Sequence, residues 1–262
     1  MSEKCRKIQK NVDIYLKSDI IFTSKKRVGE MNEVYRKEKK FLINKQEHKK
    51  NIAWLEKIMV QDKHNGIDGY NIRSLYFDTI NDTDYEGKEM GLQVRRKIRL
   101  RCYDPKQDFA MLEIKQKDGD YQLKRSLRLS KEDSLELIKG NYEVLLKYKE
   151  PFATECYAIM QMHCYRPKAI VEYKRKAFIA KENEIRVTFD YDIKTNEINY
   201  NIFDEKLVLN KAFSETNTVL EVKYNGFLLS YIKELIERID RGETSVSKYW
   251  ISRKTGKYYN YM

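Results

Sequence analysis

The sequence predicts an α+β protein built on one antiparallel sheet of about eight strands, with helices between and after them. Three observations support this fold class. From residue 33 onward, many segments alternate apolar and polar residues with a period of two, which is typical of strands with one buried face. Four other stretches carry apolar residues at helical spacing. The 262 residues contain 10 Gly and 3 Pro and no linker-like tract, which favours one domain over two.

The domain organisation predicted from the sequence is simple. Residues 1–30 are polar, mixed in charge and weakly patterned, so we interpret them as an N-terminal extension that is partly mobile. Residues 31–262 are interpreted as a single domain. The N-terminus lacks the apolar segment of a signal peptide, no stretch has the roughly 20 apolar residues of a membrane helix, and the four cysteines form no C-x-x-C pair. We therefore expect a cytoplasmic protein, or one that is peripheral at a membrane.

Six segments carry the strand pattern most clearly. In residues 93–103, Arg95, Lys97, Arg99 and Arg101 share one face, whereas the intervening positions are mainly apolar. The same division recurs in the other segments, with Lys, Arg and carboxylates on one face and Leu, Ile, Val and Phe on the other. In chain order the six segments are residues 33–43, 93–103, 110–117, 122–130, 184–192 and 219–224.

Four stretches carry the helical pattern. The clearest is 227–240, where Leu228, Ile232, Leu235 and Ile239 fall on one face. The other three predicted helices are residues 46–60, 131–140 and 152–163.

The charge of the chain limits its partners. With 52 Lys and Arg against 40 Asp and Glu, the net charge is +12, which indicates an anionic partner such as nucleic acid, anionic lipid or a phosphorylated small molecule. Like charges directly opposite one another in a sheet are destabilising, so strands with dense rows of Lys and Arg need a reason. For any one strand, solvent exposure is a sufficient reason. Because six strands repeat the pattern, we favour a closed sheet whose basic faces line a cavity.

A cavity lined in this way is suited to phosphate. Guanidinium groups bind phosphate oxygens in pairs, and lysines add compact positive charge. Carboxylates such as Glu38 and Glu221 are out of place against bare phosphates unless they hold Mg²⁺ or Mn²⁺, which bind carboxylate and phosphate oxygens together. A nucleic-acid surface would present exposed aromatic side chains for stacking, and most Tyr and Phe here lie on apolar faces. The pattern therefore predicts a metal–triphosphate complex and no nucleic-acid partner.

Eight short motifs follow one another along the chain. They are R-K-E-K-K-F (36–41), S-L-Y-F-D (74–78), K-I-R-L-R (97–101), L-E-I-K (112–115), V-E-Y-K-R-K-A-F (171–178), R-V-T-F-D (186–190), L-E-V-K (220–223) and S-V-S-K-Y (245–249). In this order they resemble the catalytic domain of the vacuolar transporter chaperone (VTC) family of polyphosphate polymerases. That family belongs to the triphosphate tunnel metalloenzymes, which include the CYTH domains. The resemblance covers about residues 33 to 250.

The resemblance implies an eight-stranded antiparallel β-barrel with flanking helices, whose tunnel holds a triphosphate or a growing polyphosphate chain. It implies a phosphotransferase that moves the γ-phosphoryl group of ATP to that chain and releases ADP, with Mn²⁺ or Mg²⁺ as cofactor. Matched motif to motif, the catalytic positions are Lys40, Arg99, Arg101, Lys115, Arg175, Arg186 and Lys248, the further phosphate-binding positions are Lys124, Tyr173 and Ser247, and the metal-binding carboxylates are Glu221 and Glu38. Arg125 and Arg128 are close enough in sequence to exchange roles with Lys124.

Three alternatives to a polymerase stay open. The same tunnel could hydrolyse triphosphate or polyphosphate with water as the acceptor, or bind polyphosphate or nucleotide without turnover; a nucleic-acid binder ranks last. The expected partners are ATP and inorganic polyphosphate, with a membrane-associated protein as a candidate for export, and the oligomeric state is open. Residues 1–30 are too few for the helical phosphate-sensing domain of eukaryotic members, and no membrane segment follows the last motif. We therefore expect the chain to act without tethered regulation or built-in export.

Overall fold

The computed structural model describes residues 37–119, 121–212, 217–239 and 242–259, and the predicted extension, residues 1–30, lies outside them. The strands are β1 (Lys37–Asn44), β2 (Val60–Gln61), β3 (Tyr70–Asp78), β4 (Val94–Cys102), β5 (Phe109–Asp118), β6 (Tyr121–Ser130), β7 (Arg166–Ile179), β8 (Arg186–Asn196), β9 (Asn210–Lys211) and β10 (Asn217–Tyr224). The α-helices are α1 (Lys45–Ile58), α2 (Thr83–Glu89), α3 (Lys131–Ile138), α4 (Pro151–Met162), α5 (Ser230–Glu237) and α6 (Lys248–Tyr259), and short 3₁₀ helices span Tyr142–Lys147 and Glu182–Glu184. None of the helices in these ranges has the length and apolar character needed to cross a membrane.

All strands of the described residues belong to one antiparallel sheet. Eight of them follow the order β1–β10–β8–β7–β3–β4–β5–β6, while the two-residue strands β2 and β9 pair with the ends of β7 and β8. The predicted α+β class, with an antiparallel sheet of eight main strands and flanking helices, is confirmed. The four predicted helices are also present as α1, α3, α4 and α5, whereas α2 and α6 were not predicted.

The sheet is not closed into the expected barrel, because its edge strands β1 and β6 form no ladder with each other in the described part of the chain. The outer edge of β1 is instead met by the segment that leads into α6, where the Thr244 amide donates to the Lys40 carbonyl over 2.8 Å. That bond occupies a backbone acceptor that a closing strand would need. Side chains bridge the gap, since Lys115 Nζ of β5 lies 3.3 Å from Glu38 Oε2 of β1. The sheet is therefore curled around its charged face, here called the inner face.

The outer face of the sheet is apolar and is covered by helices in two cores. Strands β3 to β6 pack residues such as Leu75 and Leu112 against α3, α4 and the 3₁₀ helix between them. Strands β1, β10, β8 and β7 pack residues such as Phe41 and Phe189 against α1 and α5. Each fully buried side chain of this size contributes about 1.5–3 kcal/mol to folding. The two cores hold the sheet from outside and leave the inner face to the charged residues.

Part of the inner face is filled by α6. Tyr249 and Ile251 of this helix belong to an apolar cluster with residues of β3, β7 and β8. The Tyr249 ring stacks on Tyr76 with 5.1 Å between centroids, and its hydroxyl donates to Asp78 Oδ2 over 2.7 Å. This anchoring fixes the first turn of α6, which carries Lys248 to the charged part of the same face.

Local signals explain where two helices begin. Asn44 ends β1 and caps α1: its side chain accepts from the Glu47 amide at 2.9 Å, while the Glu47 carboxylate accepts from the Asn44 amide at 2.7 Å. This reciprocal pair is a capping box. Asp78 ends β3 and accepts from the amides of Asp84 and Tyr85 at the start of α2. A carboxylate there satisfies amides that have no partner within the helix, so α2 forms without a helical hydrophobic pattern.

Candidate functional site

The antiparallel register arranges the charged side chains of the inner face in rows. Lys40 of β1 lies opposite Glu221 of β10, and Glu221 lies opposite Thr188 of β8. In the next row, Glu38 of β1 lies opposite Lys223 of β10. Because directly opposed residues on one face have Cβ atoms about 4.5–5.5 Å apart, register alone makes these side chains neighbours.

Glu38 and Glu221 share two lysines. Lys40 Nζ lies 2.9 Å from Glu38 Oε2 and 4.0 Å from Glu221 Oε1, and Lys223 Nζ lies 3.3 Å from an oxygen of each carboxylate. Burial alone would raise the pKa of both carboxyl groups, but the surrounding cations hold each pKa well below its ordinary value. Both groups are therefore ionised at neutral pH, although each side chain is less than a tenth exposed.

Asp190 of β8 connects this pair to α6. Its carboxylate accepts two bonds from Arg175, at 2.6 Å and 2.7 Å, and lies 2.5 Å from Lys248 Nζ. Lys248 Nζ is also 3.3 Å from Glu221 Oε1 and 4.8 Å from the centroid of the Tyr173 ring. Burial opposes the charge on Lys248, but Asp190 and Glu221 raise its pKa above the ordinary value. The bidentate geometry fixes the Arg175 guanidinium against the site.

A second group of charges surrounds Glu113 of β5. Arg99 Nε donates to Glu113 over 2.7 Å, Lys124 Nζ lies 2.6 Å from it, and Arg101 lies 3.7 Å from it. Arg99 also donates to the Tyr76 hydroxyl over 3.1 Å. Burial would raise the pKa of Glu113, but the three cations hold it well below its ordinary value. Glu113 thus orients Arg99 and Arg101 on the inner face.

Lys97 and Lys115 lie between the two groups, and their positive charges are less fully compensated by carboxylates. They are directly opposite each other on β4 and β5, and Lys97 Nζ donates to Ser247 Oγ over 2.8 Å. Burial and the neighbouring cations lower the pKa of Lys97 well below its ordinary value. Burial, partly offset by Glu38, lowers the pKa of Lys115 to about 8. In both lysines burial disfavours the charged form, and a bound anion would favour it.

A cavity of about 400 Å³ opens beside these lysines. One wall is the charged face of β1, β4 and β5, and another is the segment 243–247 that leads into α6. The lining residues from the site are Glu38, Lys40, Lys97, Lys115 and Ser247. An anion in this cavity would therefore meet three lysines and one hydroxyl group, with the Glu38 carboxylate beside them.

The structure brings most of the predicted site residues together, connected through Glu38, Glu221, Asp190 and Glu113. Arg186 lies at the margin: it is opposite Lys223 in the sheet, but its guanidinium lies 2.7 Å from Asp62 and donates to the Tyr70 hydroxyl.

The structure also places Lys124 differently from the two nearby arginines, Arg125 and Arg128. Lys124 is on the inner face with Glu113, whereas Arg125 is on the outer face and pairs with Glu155 of α4. Arg128 stacks its guanidinium on the Phe109 ring. Among the three, Lys124 is therefore placed with the site, and its role in phosphate binding stays a prediction.

Sequence reasoning left four residues out of the site. One is Asp190, which binds the predicted residues Arg175 and Lys248. Lys97, Glu113 and Lys223 all contact predicted site residues directly. Each lies two positions from an assigned residue on the same strand, so strand alternation placed it on the same face. Strand alternation could therefore have identified these three residues, whereas the match to the family motifs did not include them.

The carboxylates suit a divalent metal that also binds phosphate. Within the described ranges, no group of three or more His, Cys, Asp or Glu is arranged to cage a metal. Mg²⁺ is usually bound by one or two carboxylates together with substrate phosphates, and Glu38 and Glu221 provide such a pair. Directly opposite Glu221, the Thr188 side chain is 1% exposed, and its hydroxyl has no hydrogen-bond partner among the residues that the structure describes. An unsatisfied oxygen at this point fits a hard cation or its bound water.

Comparison with known proteins yields one family and several distant structures. The VTC domain family model matches residues 35–256. No curated protein matches the chain in sequence. A structure described as a "putative adenylate cyclase" from Bacillus halodurans is 12% identical, with a TM-score of 0.49 over 82% of this chain and 96% of its own.

Two further structures are similar at the same level. One, also described as a "putative adenylate cyclase", is from Vibrio parahaemolyticus, with 12% identity and a TM-score of 0.44 over 82% of this chain and 97% of its own. The other is a protein from Pyrococcus horikoshii, with 11% identity and a TM-score of 0.43 over 85% of this chain and 99% of its own. At these identities and TM-scores, the three structures carry no information on what this chain binds.

Proposed function

The chain belongs to the VTC domain family, and from the charges of its inner face we propose that it is a metal-dependent polyphosphate polymerase. In the proposed reaction, a terminal oxygen of a polyphosphate chain attacks the γ-phosphorus of ATP. The bond from that phosphorus to the β–γ bridging oxygen breaks, ADP leaves, and the chain is one phosphate longer. Under this proposal the partners are ATP and inorganic polyphosphate, and residues 31–262 act as one domain in the cytoplasm or at a membrane surface.

One observation carries the proposal. Lys97, Lys115 and Lys124 lie directly opposite one another on β4, β5 and β6, so three ammonium groups form one row across the inner face. Such a row is unfavourable for folding. Burial, together with cations that include Lys115, lowers the pKa of Lys97, so its charged form lacks stabilising partners. A bound polyanion would remove the repulsion. A row of this kind is therefore better explained by phosphate binding than by stability.

Phosphoryl transfer depends mainly on positioning and charge neutralisation, and it needs no covalent group from the protein. The arginines of the site are suited to this because their guanidinium groups are already fixed. Arg99 and Arg101 are held by Glu113, and Arg175 is held by Asp190. Pre-oriented cations stabilise the charge that develops on the transferred group without rearranging during the reaction.

The metal would be held by Glu221 and Glu38, with the Thr188 hydroxyl beside them. When bound there, Mn²⁺ or Mg²⁺ neutralises charge on the phosphate oxygens that flank the bond to be broken. Lys40 and Lys223 lie against both carboxylates, and with a metal held there these lysines would be available to bind phosphate oxygens. Lys248, which contacts both Asp190 and Glu221, would also be available to the phosphates.

The proposal is tested by incubating the purified protein with ATP and Mn²⁺, resolving the products on a polyphosphate gel and measuring ADP. We expect a ladder of chains and one ADP for each phosphate incorporated. Arg99→Ala should abolish the ladder, whereas Arg125→Ala, the same change on the outer face, should retain it. Free phosphate without a ladder would assign a triphosphatase, and neither product in any metal would leave a binding module.

A further inference from the structure

The basic row of the site continues outward along β4 and β5. Arg99 lies opposite Glu113, the next pair on the same face is Lys97 with Lys115, and the pair after that is Arg95 with Lys117. Successive pairs are about 6.7 Å apart, because a strand rises about 3.3–3.4 Å per residue. From Arg99 to Arg95 the basic strip is therefore about 13 Å long. The first pair contains a carboxylate, and the two outer pairs contain only cations.

Helix α2 adds a third cation to the outer end of this strip. Lys88 lines the same cavity as Arg95 and Lys117, and the cavity continues inward to Lys40 and Lys115. Burial, then Arg95 and Lys40, lower the pKa of Lys88 below its ordinary value, which agrees with its place among cations. We call Lys88, Arg95 and Lys117 the rim. In the described part of the chain, none of the three makes an ion pair with a carboxylate.

The rim has no evident purpose in folding. Two cations directly opposite each other repel, and a third beside them increases the repulsion. All three side chains are only half-buried, so solvent reduces the cost but leaves no stabilising contribution. Their distance from the carboxylates also matters: a compact anion held at Glu38 and Glu221 with a metal would not extend along the whole strip. A linear anion with regularly spaced charges would contact both ends.

We propose that the rim is a second anion subsite, which binds the part of a linear polyphosphate chain that extends beyond the phosphates held in the inner site. The choice of polyphosphate as ligand rests on the proposed function. The subsite itself predicts a preference for length: chains long enough to reach the rim bind more tightly than tripolyphosphate, and they leave the site between α2 and the ends of β4 and β5.

The test compares ligands of two lengths on two variants of the full chain. The rim variant combines Lys88→Ala, Arg95→Ala and Lys117→Ala. The control variant combines Lys57→Ala, Lys206→Ala and Lys233→Ala, which removes the same charge from exposed positions outside the cavity. Dissociation constants are measured by calorimetry for tripolyphosphate and for a long polyphosphate of defined length. Urea midpoints are recorded to verify that both variants are folded.

We expect the rim variant to lose about tenfold to a hundredfold in affinity for the long chain, since each exposed charge contributes up to about fivefold. Its affinity for tripolyphosphate should remain within about twofold, and the control variant should match the unmodified protein with both ligands. The salt dependence of long-chain binding should also become shallower in the rim variant, because fewer phosphates are neutralised. Removal of like charges should leave the urea midpoint equal or higher.

Three outcomes would overturn the inference. The first is equal loss of affinity for both ligands in the rim variant, and the second is equal loss in the control variant. The third is binding of single-stranded DNA of matched charge as tight as that of polyphosphate, because the subsite would then be a general polyanion surface. All of these measurements are made without ATP or turnover. A protein that forms no polymer but shows the length preference would contradict the proposed function and leave the rim subsite intact.

Discussion

The role of Glu221 gives the most informative prediction. At neutral pH this residue is an ionised, buried carboxylate within 4.0 Å of four cations. The change Glu221→Gln keeps the shape of the side chain and removes its charge. If Glu221 is a metal ligand, the variant should lose the response to Mn²⁺ as well as some stability. The two effects need to be separated, because any buried carboxylate in this site contributes to stability.

The stability change can be estimated from the contacts that remain. Removal of one partner from a buried ion pair costs about 3–5 kcal/mol. After the change, Lys40 and Lys223 would still contact Glu38, and Arg175 and Lys248 would still contact Asp190. Each cation therefore keeps one carboxylate. We expect a loss near the lower end of that range, about 3 kcal/mol, in the urea unfolding free energy of the protein without ligand.

Glu113 provides a matched control. Its side chain is 5% exposed, compared with 9% for Glu221, and is also surrounded by cations, but it lies on β5 beside arginines of β4. After Glu113→Gln, Arg99 would keep the Tyr76 hydroxyl and Arg101 a long contact with Ser74. Within the described ranges, neither arginine would then contact a carboxylate. The stability loss should therefore equal or exceed that of Glu221→Gln, while the metal site remains intact.

The assay measures how much Mn²⁺ stabilises each protein in the presence of saturating tripolyphosphate. At a concentration a hundredfold above its dissociation constant, a ligand that binds only the folded state adds about 2.7 kcal/mol. We expect that increment in the unmodified protein and in Glu113→Gln, and its loss in Glu221→Gln together with metal-dependent turnover. An undiminished Mn²⁺ increment in Glu221→Gln, or equal loss in both variants, would refute the assignment of Glu221 as a metal ligand.

Three further changes have expected outcomes. The pKa of Lys115 is about 8, and a bound phosphate favours the charged form of this lysine. The affinity for tripolyphosphate should therefore fall as the pH rises above 8, by up to about tenfold per pH unit. The fall should be shallower in Lys115→Arg, and equal slopes in the two proteins would contradict this. Tyr249→Phe keeps the ring but loses the bond to Asp78, so urea unfolding should show a loss of about 1.5–3 kcal/mol, and an unchanged value would show that the bond contributes nothing. Arg175→Lys cannot reproduce the two bonds to Asp190, so it should lower the unfolding free energy by about 1–3 kcal/mol; a midpoint equal to that of the unmodified protein would argue against a fixed guanidinium.

Strand alternation was enough to predict the faces of the sheet. Lys40, Arg99 and Lys115 were assigned to polar faces from their positions in alternating segments, and all three lie on the inner face. The reason is geometric: successive side chains of a strand point to opposite sides regardless of tertiary context. The same rule identified the apolar outer face before the helices that cover it were placed.

Other features depend on contacts between distant parts of the chain. Helix α6 begins K-Y-W-I-S-R, with no continuous apolar stripe, because its buried side chains include Tyr249, whose hydroxyl bonds to Asp78, and Ser252, which bonds to Thr195. Periodicity detects burial only where buried residues are apolar. Whether the sheet closes could not be predicted from the sequence either, because alternation does not show what occupies the edge of β1. Thr244, which bonds to that edge, is about 200 residues away in sequence.

Glu113 and Glu221 show most clearly what a sequence pattern alone does not predict. L-E-I-K at 112–115 and L-E-V-K at 220–223 are nearly identical in sequence and have the same strand phase. Only the fold separates them, because β5 places Glu113 beside two arginines of β4, whereas β10 places Glu221 between β1 and β8, next to Lys40 and Thr188. The assignment of Glu221 to the metal depends on the family motif and stays a prediction, and the register places this residue opposite Thr188.

The position of the charges also links folding to ligand binding. In the protein without ligand, the row of Lys97, Lys115 and Lys124 opposes folding, and the apolar cores on the outer face must offset that cost. Natural sites commonly sacrifice stability in this way for function. A polyanion on the inner face would convert repulsion into attraction, and this relief of repulsion would contribute to its binding free energy. Tripolyphosphate should therefore raise the unfolding free energy more in this protein than in a variant with Lys97→Met, where the repulsion is already reduced.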